Sequence, residues 1–350
     1  MKYKMVLGAC CLCSDDGGIW FVHEKMAILF YYDFGFRKIT FYRIIPCKQI
    51  SIGASFGAMV YKDGKLYLFS NAQRESFIYD IQKDIFTELF IENVCLNAFR
   101  GACVWGDYVY AFPYRYDRII RIEGHRSQVE YLEKWRDILH CDESFYTNSW
   151  NQIDEKSIIM AVPQSHQALK YDIASEKWST IRMGNTTADY TYFACLDGKL
   201  YGINRENGTL NMLTMQGEPL KCVKIDYVGA YVHAFQDCII VDPTNEDFID
   251  IYEKGLDKYK RYHTTYEKSG LRLPYRCLSW LSAHGKFYAF DKANGLICID
   301  EHMNVLRDTG FMDETMYEKL CLEIFETKVS CYEENELFGL EEFLLKHTKT

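Results

Sequence analysis

One pattern of about 45 residues returns seven times along this 350-residue chain, and a repeat of that length constrains the fold more tightly than any single motif. The clearest copy is residues 57–89, GAMVYKDGKLYLFSNAQRESFIYDIQKDIFTEL. Residues 58–61 are a short apolar run, and Lys62-Asp63-Gly64-Lys65 supplies the Asp-Gly pair that accommodates positive φ in a tight hairpin turn. Leu66-Tyr67-Leu68-Phe69 is the return strand, and residues 70–75 are a polar break. Ser76–Asp80 and Ile85–Leu89, joined through Gln82-Lys83-Asp84, complete a unit of four antiparallel strands of about five residues each. One such sheet cannot bury both of its faces alone.

The copies align best at the second strand, where the anchors are Ile19, Leu66, Val109, Ile158, Leu200, Ile239 and Phe287, spaced 47, 43, 49, 42, 39 and 48 residues apart. A Gly-Ala pair marks the first strand at Gly8-Ala9, Gly57-Ala58, Gly101-Ala102 and Gly229-Ala230. Four-stranded units of this period suit a β-propeller, in which each blade buries its faces against its neighbours. A sandwich does not require the period, and a parallel β-helix repeats at half of it or less. The expected fold class is therefore all-β, a propeller of about seven four-stranded blades with a short C-terminal helical tail. Six or eight blades also fit, because the fourth and sixth copies are degenerate.

Phe77-Ile78-Tyr79-Asp80 followed by Phe86, and Leu169-Lys170-Tyr171-Asp172 followed by Trp178, resemble the Tyr-Asp-x-x-x-x-x-Trp strand pair of kelch repeats. Residues 296–300, LICID, are a partial third instance. Kelch families end the second strand with Gly-Gly; this chain has Ser70-Asn71, Pro113-Tyr114, Pro163-Gln164, Asn204-Arg205, Asp242-Pro243 and Asp291-Lys292 there. The resemblance implies a divergent kelch-like, galactose-oxidase-type propeller.

Six prolines and no Ser/Gly/Pro-rich stretch leave no visible linker, so residues 1–310 are expected to form one propeller domain. The net charge of −9, without a Lys/Arg run, argues against nucleic acid and anionic membranes as partners. Lys2, Lys4 and the apolar residues before Cys10 imitate an export signal, but the apolar run is too short and aligns with the first strands of other copies. A cytoplasmic monomer with reduced thiols is the expectation. Cys10 and Cys13 form a lone Cys-x-x-Cys, the nine histidines are scattered, and no phosphate loop or nucleophile motif occurs. No metal or cofactor is expected.

Loops on a rigid scaffold carry function disproportionately. Two are long here: residues 135–147, which could add a helical turn, and residues 262–276. Loops after the second strands and before the first strands emerge on one face. That face would gather Arg74, Arg100, Arg115, Arg205 and Arg276 with Tyr114, Tyr146, Tyr192, Tyr227 and Tyr275. Arg and Tyr are enriched at binding hot spots. The expected function is a non-catalytic interaction module that presents this Arg/Tyr-rich face to a protein or small ligand. The alternative is a carbohydrate-active enzyme, with Asp107, Asp117, Asp189 or Asp242 meeting at the axis mouth at the separation that paired carboxylates need.

After Gly310 the strand pattern stops. Residues 314–327 place Met316, Leu320 and Ile324 on one helical stripe, and residues 336–346 do the same with Leu337, Leu340 and Leu344. Residues 311–350 hold ten acidic against four basic residues, so the expected tail is an acidic helical segment packed on, or docking from, the propeller.

Overall fold

The computed structural model describes residues 9–23, 27–47, 56–71, 75–124, 127–141, 144–154, 156–163, 165–184, 189–227, 229–243, 246, 248–263, 280–291, 295–300, 302, 304–308 and 319. They form seven four-stranded antiparallel blades, each with its strands in sequence order, which is the β-propeller fold. Blade one is β1 (Ala9–Ser14), β2 (Gly18–His23), β3 (Ile28–Asp33) and β4 (Lys38–Ile44). Blade two is β5 (Phe56–Lys62), β6 (Lys65–Ser70), β7 (Ser76–Asp80) and β8 (Ile85–Leu89). Blade three is β9 (Phe99–Trp105), β10 (Tyr108–Pro113), β11 (Arg118–Glu123) and β12 (Val129–Lys134), followed by a helical turn, α1 (Trp135–Leu139). Blade four is β13 (Asn148–Gln152), β14 (Ser157–Val162), β15 (Gln167–Asp172) and β16 (Lys177–Arg182). Blade five is β17 (Tyr190–Leu196), β18 (Lys199–Asn204), β19 (Thr209–Thr214) and β20 (Pro219–Lys224). Blade six is β21 (Ala230–Phe235), β22 (Cys238–Pro243), β23 (Phe248–Glu253) and β24 (Tyr259–His263). Blade seven is β25 (Trp280–Ala283), β26 (Lys286–Asp291), β27 (Gly295–Ile299) and β28 (Val305–Asp308).

The chain divides into two compact units: residues 1–91 with 276–350, holding blades one, two and seven, and residues 92–275, holding blades three to six. In the first unit a shared core joins Cys10, Cys13, Trp20 and Val22 of blade one to Leu66, Leu68 and Tyr79 of blade two. In the second, Tyr110 and Phe112 of blade three pack with Ile158 and Met160 of blade four, and Tyr201 of blade five packs with Ile239 of blade six. All seven anchors occupy the second position of the second strand, and none is more than 3% exposed. Burying an aliphatic side chain of this size contributes roughly 1.5–3 kcal/mol, so the repeat is legible because each copy needs that contact.

The turns explain the polar punctuation. Asp63 and Gly64 have φ of 49° and 75°, and Asp197 and Gly198 repeat this at 49° and 66°, the left-handed pair that matches the twist of a two-residue hairpin. The third and fourth strands explain the Tyr-Asp signature. Tyr79 pairs across with Phe86, ring centroids 4.3 Å apart; Tyr171 pairs with Trp178 at 4.9 Å and Tyr252 with Tyr259 at 5.0 Å. The acid after the tyrosine caps the turn between them: Asp80 Oδ1 accepts from the Lys83 N–H at 3.0 Å, and Asp172 Oδ1 from the Ser175 N–H at 2.7 Å.

Blades are also tied by charge. The Arg43 guanidinium of β4 donates from Nε to Asp84 Oδ1 of blade two at 2.7 Å, the same oxygen that accepts the Tyr79 hydroxyl at 2.7 Å. Arg121 of β11 is paired with Glu130 of its own blade and reaches Glu176 in the last turn of blade four. Lys221 of β20 reaches Asp257 in the last turn of blade six at 2.5 Å. The residue pattern thus repeats between blades as well as within them.

The helical turn expected within residues 135–147 is α1, whose Trp135 is fully buried. Residues 264–279, most of the second long loop, lie outside the described residues, as do both predicted tail helices apart from Lys319. Lys319 has helical backbone geometry, and its Nζ is 5.7 Å from the centroid of the Phe41 ring in blade one.

Candidate binding face

In every blade the first-to-second and third-to-fourth strand turns share one end of the strands. The second-to-third loops and the connections between blades share the other. In blade three that second end is tightly knitted. The N–H groups of Tyr114 and Arg115 donate to the carbonyls of Ala98 and Asn97 at 2.7 and 3.0 Å, and the Thr147 N–H donates to the Tyr114 carbonyl at 2.9 Å. From α1, Trp135 Nε1 donates to the Tyr116 carbonyl at 2.8 Å, and the Arg136 guanidinium donates to the carbonyls of Arg115 at 2.6 Å and Phe145 at 3.2 Å. Backbone held on both sides makes the loop residues Tyr114 and Tyr146 fixed presenters of their rings.

Those rings belong to a cluster. The Arg100 guanidinium, on the second residue of β9, lies 5.5 Å from the Tyr114 ring centroid. Tyr114 and Tyr146 are 4.9 Å apart with a 44° tilt. Tyr192 of β17 and Tyr231 of β21 are 4.5 Å apart with a 57° tilt. Arg100 links the pairs electrostatically. Burial raises the Tyr231 phenol well above the ordinary tyrosine value, the neighbouring Tyr192 hydroxyl raises it further, and Arg100 pulls the other way. Burial likewise raises Tyr114, helped by Tyr146 and opposed by Arg100, with Tyr192 adding to the rise. Arg100, Tyr114, Tyr146 and Tyr192 are half-buried, and Tyr231 is 8% exposed. Tyr231 is paired across the strands with Asp242 of β22, which is 3% exposed.

Of the residues expected on this face, the structure brings together Arg100, Tyr114, Tyr146 and Tyr192. Arg115 is exposed beside Tyr114. Arg205 is exposed on the loop between β18 and β19, its Nη1 3.5 Å from Thr191 Oγ1, next to Tyr192 in the chain. Arg74, Tyr275 and Arg276 lie outside the described residues. Tyr227 is a core residue rather than a face residue: it is 6% exposed, and its hydroxyl donates to the buried Asp250 at 3.0 Å. Tyr231 was not among the expected residues. Its signal was the first-strand alternation after Gly229-Ala230, which places Tyr231 and His233 on the same side of β21.

Two acids of the enzyme alternative, Asp107 and Asp117, lie at opposite ends of a strand of blade three. Asp107 is in the turn before β10 and Asp117 in the loop after it, so a six-residue strand of roughly 20 Å separates two groups that would need to be about 5–9 Å apart. Asp117 is committed to Arg118 at 3.1 Å and Lys134 at 3.0 Å, which hold its carboxyl below the usual range against the effect of burial. Asp189 precedes β17 of blade five, and Asp242 is on β22 of blade six.

No protein-family model matches the chain, and no curated protein matches its sequence. Solved structures do match. A streptogramin B lyase has a TM-score of 0.64 at 11% identity, over 85% of this chain and 95% of that one. Virginiamycin B lyase from Staphylococcus aureus has a TM-score of 0.64 at 12% identity, over 85% of this chain and 97% of that one. YCF48 bound to D1 peptide also has a TM-score of 0.64, at 9% identity over 90% of this chain and 95% of that one. At these identities the likeness is one of fold alone.

Proposed function

We propose that the chain is a non-catalytic interaction module, a kelch-like propeller that binds a protein partner through the Arg/Tyr-rich end of blades three to six. The observation that carries the reading is the Arg100–Tyr114 contact with Tyr146 against Tyr114, and the Tyr192–Tyr231 pair to which they are electrostatically linked. Large, stiff rings lose little entropy on contact, and a guanidinium both stacks on rings and pairs with acids. The kelch-like part rests on the Tyr79–Phe86 and Tyr171–Trp178 pairs and their capping acids. YCF48, a propeller of similar fold, is bound to a peptide. A cytoplasmic, monomeric protein completes the reading. The described cysteines, Cys10 to Cys298, form no disulfide, and the net charge of −9 disfavours nucleic acid.

The test is affinity capture from the native cell, comparing wild type with Arg115→Glu, which alters an exposed side chain, and with Asp107→Ala at the other end of blade three. The reading expects Arg115→Glu, with an unchanged melting curve, to lose the partner that Asp107→Ala retains. Equal capture by wild type and Arg115→Glu, or loss with Asp107→Ala alone, would place binding elsewhere.

A further inference from the structure

The strand arginines of blades three and six differ in what satisfies them. Arg118 is paired with Asp117, Arg121 with Glu130 and Glu176, and Arg261 with Asp226 and Asp250. Arg100 is half-buried, yet among the described residues its guanidinium makes no ion pair or hydrogen bond; it lies over the Tyr114 ring. A charge partly withdrawn from water without a counter-ion is costly, and an incoming anion relieves that cost. The hydroxyls of Tyr114 and Tyr146 also make no hydrogen bond among the described residues, which leaves two further donors beside the same guanidinium.

We infer that Arg100, with Tyr114, Tyr146 and Tyr192 around it, is a carboxylate-binding site that takes an acidic group of a partner peptide; the inference rests on the interaction-module reading above. A guanidinium presents a planar fork that matches a carboxylate in two parallel hydrogen bonds. One half-buried guanidinium among these rings matches the charge of a single carboxylate. The tyrosine rings supply apolar walls for the methylene or aromatic body that carries the acid. The same carboxylate chemistry occurs at an Asp or Glu side chain and at a peptide C-terminus.

The experiment uses the full chain with isotopically labelled tyrosine rings. Tyr114 and Tyr146 signals are assigned from Tyr114→Phe and Tyr146→Phe. The probes are hippurate, hippuramide, N-acetylglutamate α-amide and phenyl phosphate. Hippurate is expected to shift both signals saturably, and hippuramide, which lacks the charge, to bind roughly tenfold more weakly or worse. Arg100→Gln should abolish the shift. Arg100→Lys, which keeps the charge without the fork, should weaken it several-fold. Tighter binding of N-acetylglutamate α-amide than of hippurate assigns the site to side-chain acids, and the reverse assigns it to a C-terminus. Equal shifts from hippurate and hippuramide, tighter binding of phenyl phosphate, or an undiminished shift in Arg100→Gln would overturn the carboxylate site. If partner capture depends on Arg115 while hippurate moves neither signal, the interaction reading stands and this inference falls.

Discussion

Gly101 lies flat against the indole of Trp150: a Cβ built on it would stand 1.7 Å from Nε1 and 1.9 Å from Cδ1. Trp150, on β13 of blade four, is stacked 5.0 Å from Phe112 of blade three. The first-strand glycine is therefore a packing requirement in this blade, not a turn residue. Gly101→Ala forces the indole aside, and overpacking of this kind costs about 1–3 kcal/mol. Urea unfolding followed by circular dichroism should show a lower midpoint. A variant as stable as wild type would mean that the blades part freely at this contact.

Leu66 is fully buried in the core shared by blades one and two. Leu66→Ala should cost roughly 2–5 kcal/mol, and Leu66→Asp more, because an unpaired carboxylate there has no partner. Hydrogen exchange should show protection lost in both blades, not in blade two alone. A Leu66→Asp variant that melts like wild type would contradict the shared core.

Asp84 joins two blades, and hydrogen bonds from Arg43 and then Tyr79 hold its carboxyl below the usual range. A depressed native pKa means that its contribution is present above about pH 4 and is lost as the pH falls further. Its side chain is 42% exposed, so solvent screening limits the loss in Asp84→Asn to about 1 kcal/mol or less. Stability measured from pH 7 down to pH 3 should fall less steeply below pH 4 in that variant than in wild type.

His233, one step along β21 from Tyr231 on the same side, has its Nε2 shielded from solvent, and burial pushes its pKa down to about 3. The unfolded chain takes up a proton near pH 6.5, and the folded chain resists until near pH 3. Stability should therefore decline as the pH falls through that window, at a slope approaching 1.4 kcal/mol per pH unit. His233→Gln should flatten the slope between pH 6 and pH 4. An unchanged slope would show that His233 protonates freely in the folded state.

The tail carries a further expectation. Lys319 Nζ is 5.7 Å from the Phe41 ring centroid, and if the acidic tail packs on the propeller, ending the chain at Gly310 should lower the melting temperature. An unchanged melt with full solubility would favour a free docking element.

The blades were legible because what defines them is local. A two-residue hairpin needs positive φ, so Asp63-Gly64 and Asp197-Gly198 mark turns; a strand buried on both faces reads as a short apolar run, so the runs that open on Ile19, Leu66 and the other anchors mark the second strands, whose register the pairing with adjacent strands then enforces. The Tyr-Asp pairs were legible for the same reason, since Tyr79 and Phe86 are directly opposed across one short turn.

The gathering of rings around Arg100 was decided by tertiary structure. Arg100 and Tyr231 are 131 positions apart in the chain and on different blades, and whether their side chains interact depends on how neighbouring sheets pack, which no alternation within one strand encodes. The same physics separated Tyr227 from Tyr231. Both are tyrosines at the start of blade six, but one turns its hydroxyl inward to Asp250, and the other lies against Tyr192 of blade five. Sequence determined the strands and their anchors, because hydrogen-bonded pairing acts between near neighbours, while the count of seven, which six or eight had also fitted, came from the structure. Which side chains share a site was settled only by the packing of one blade on the next, because that contact is made between residues the chain holds far apart.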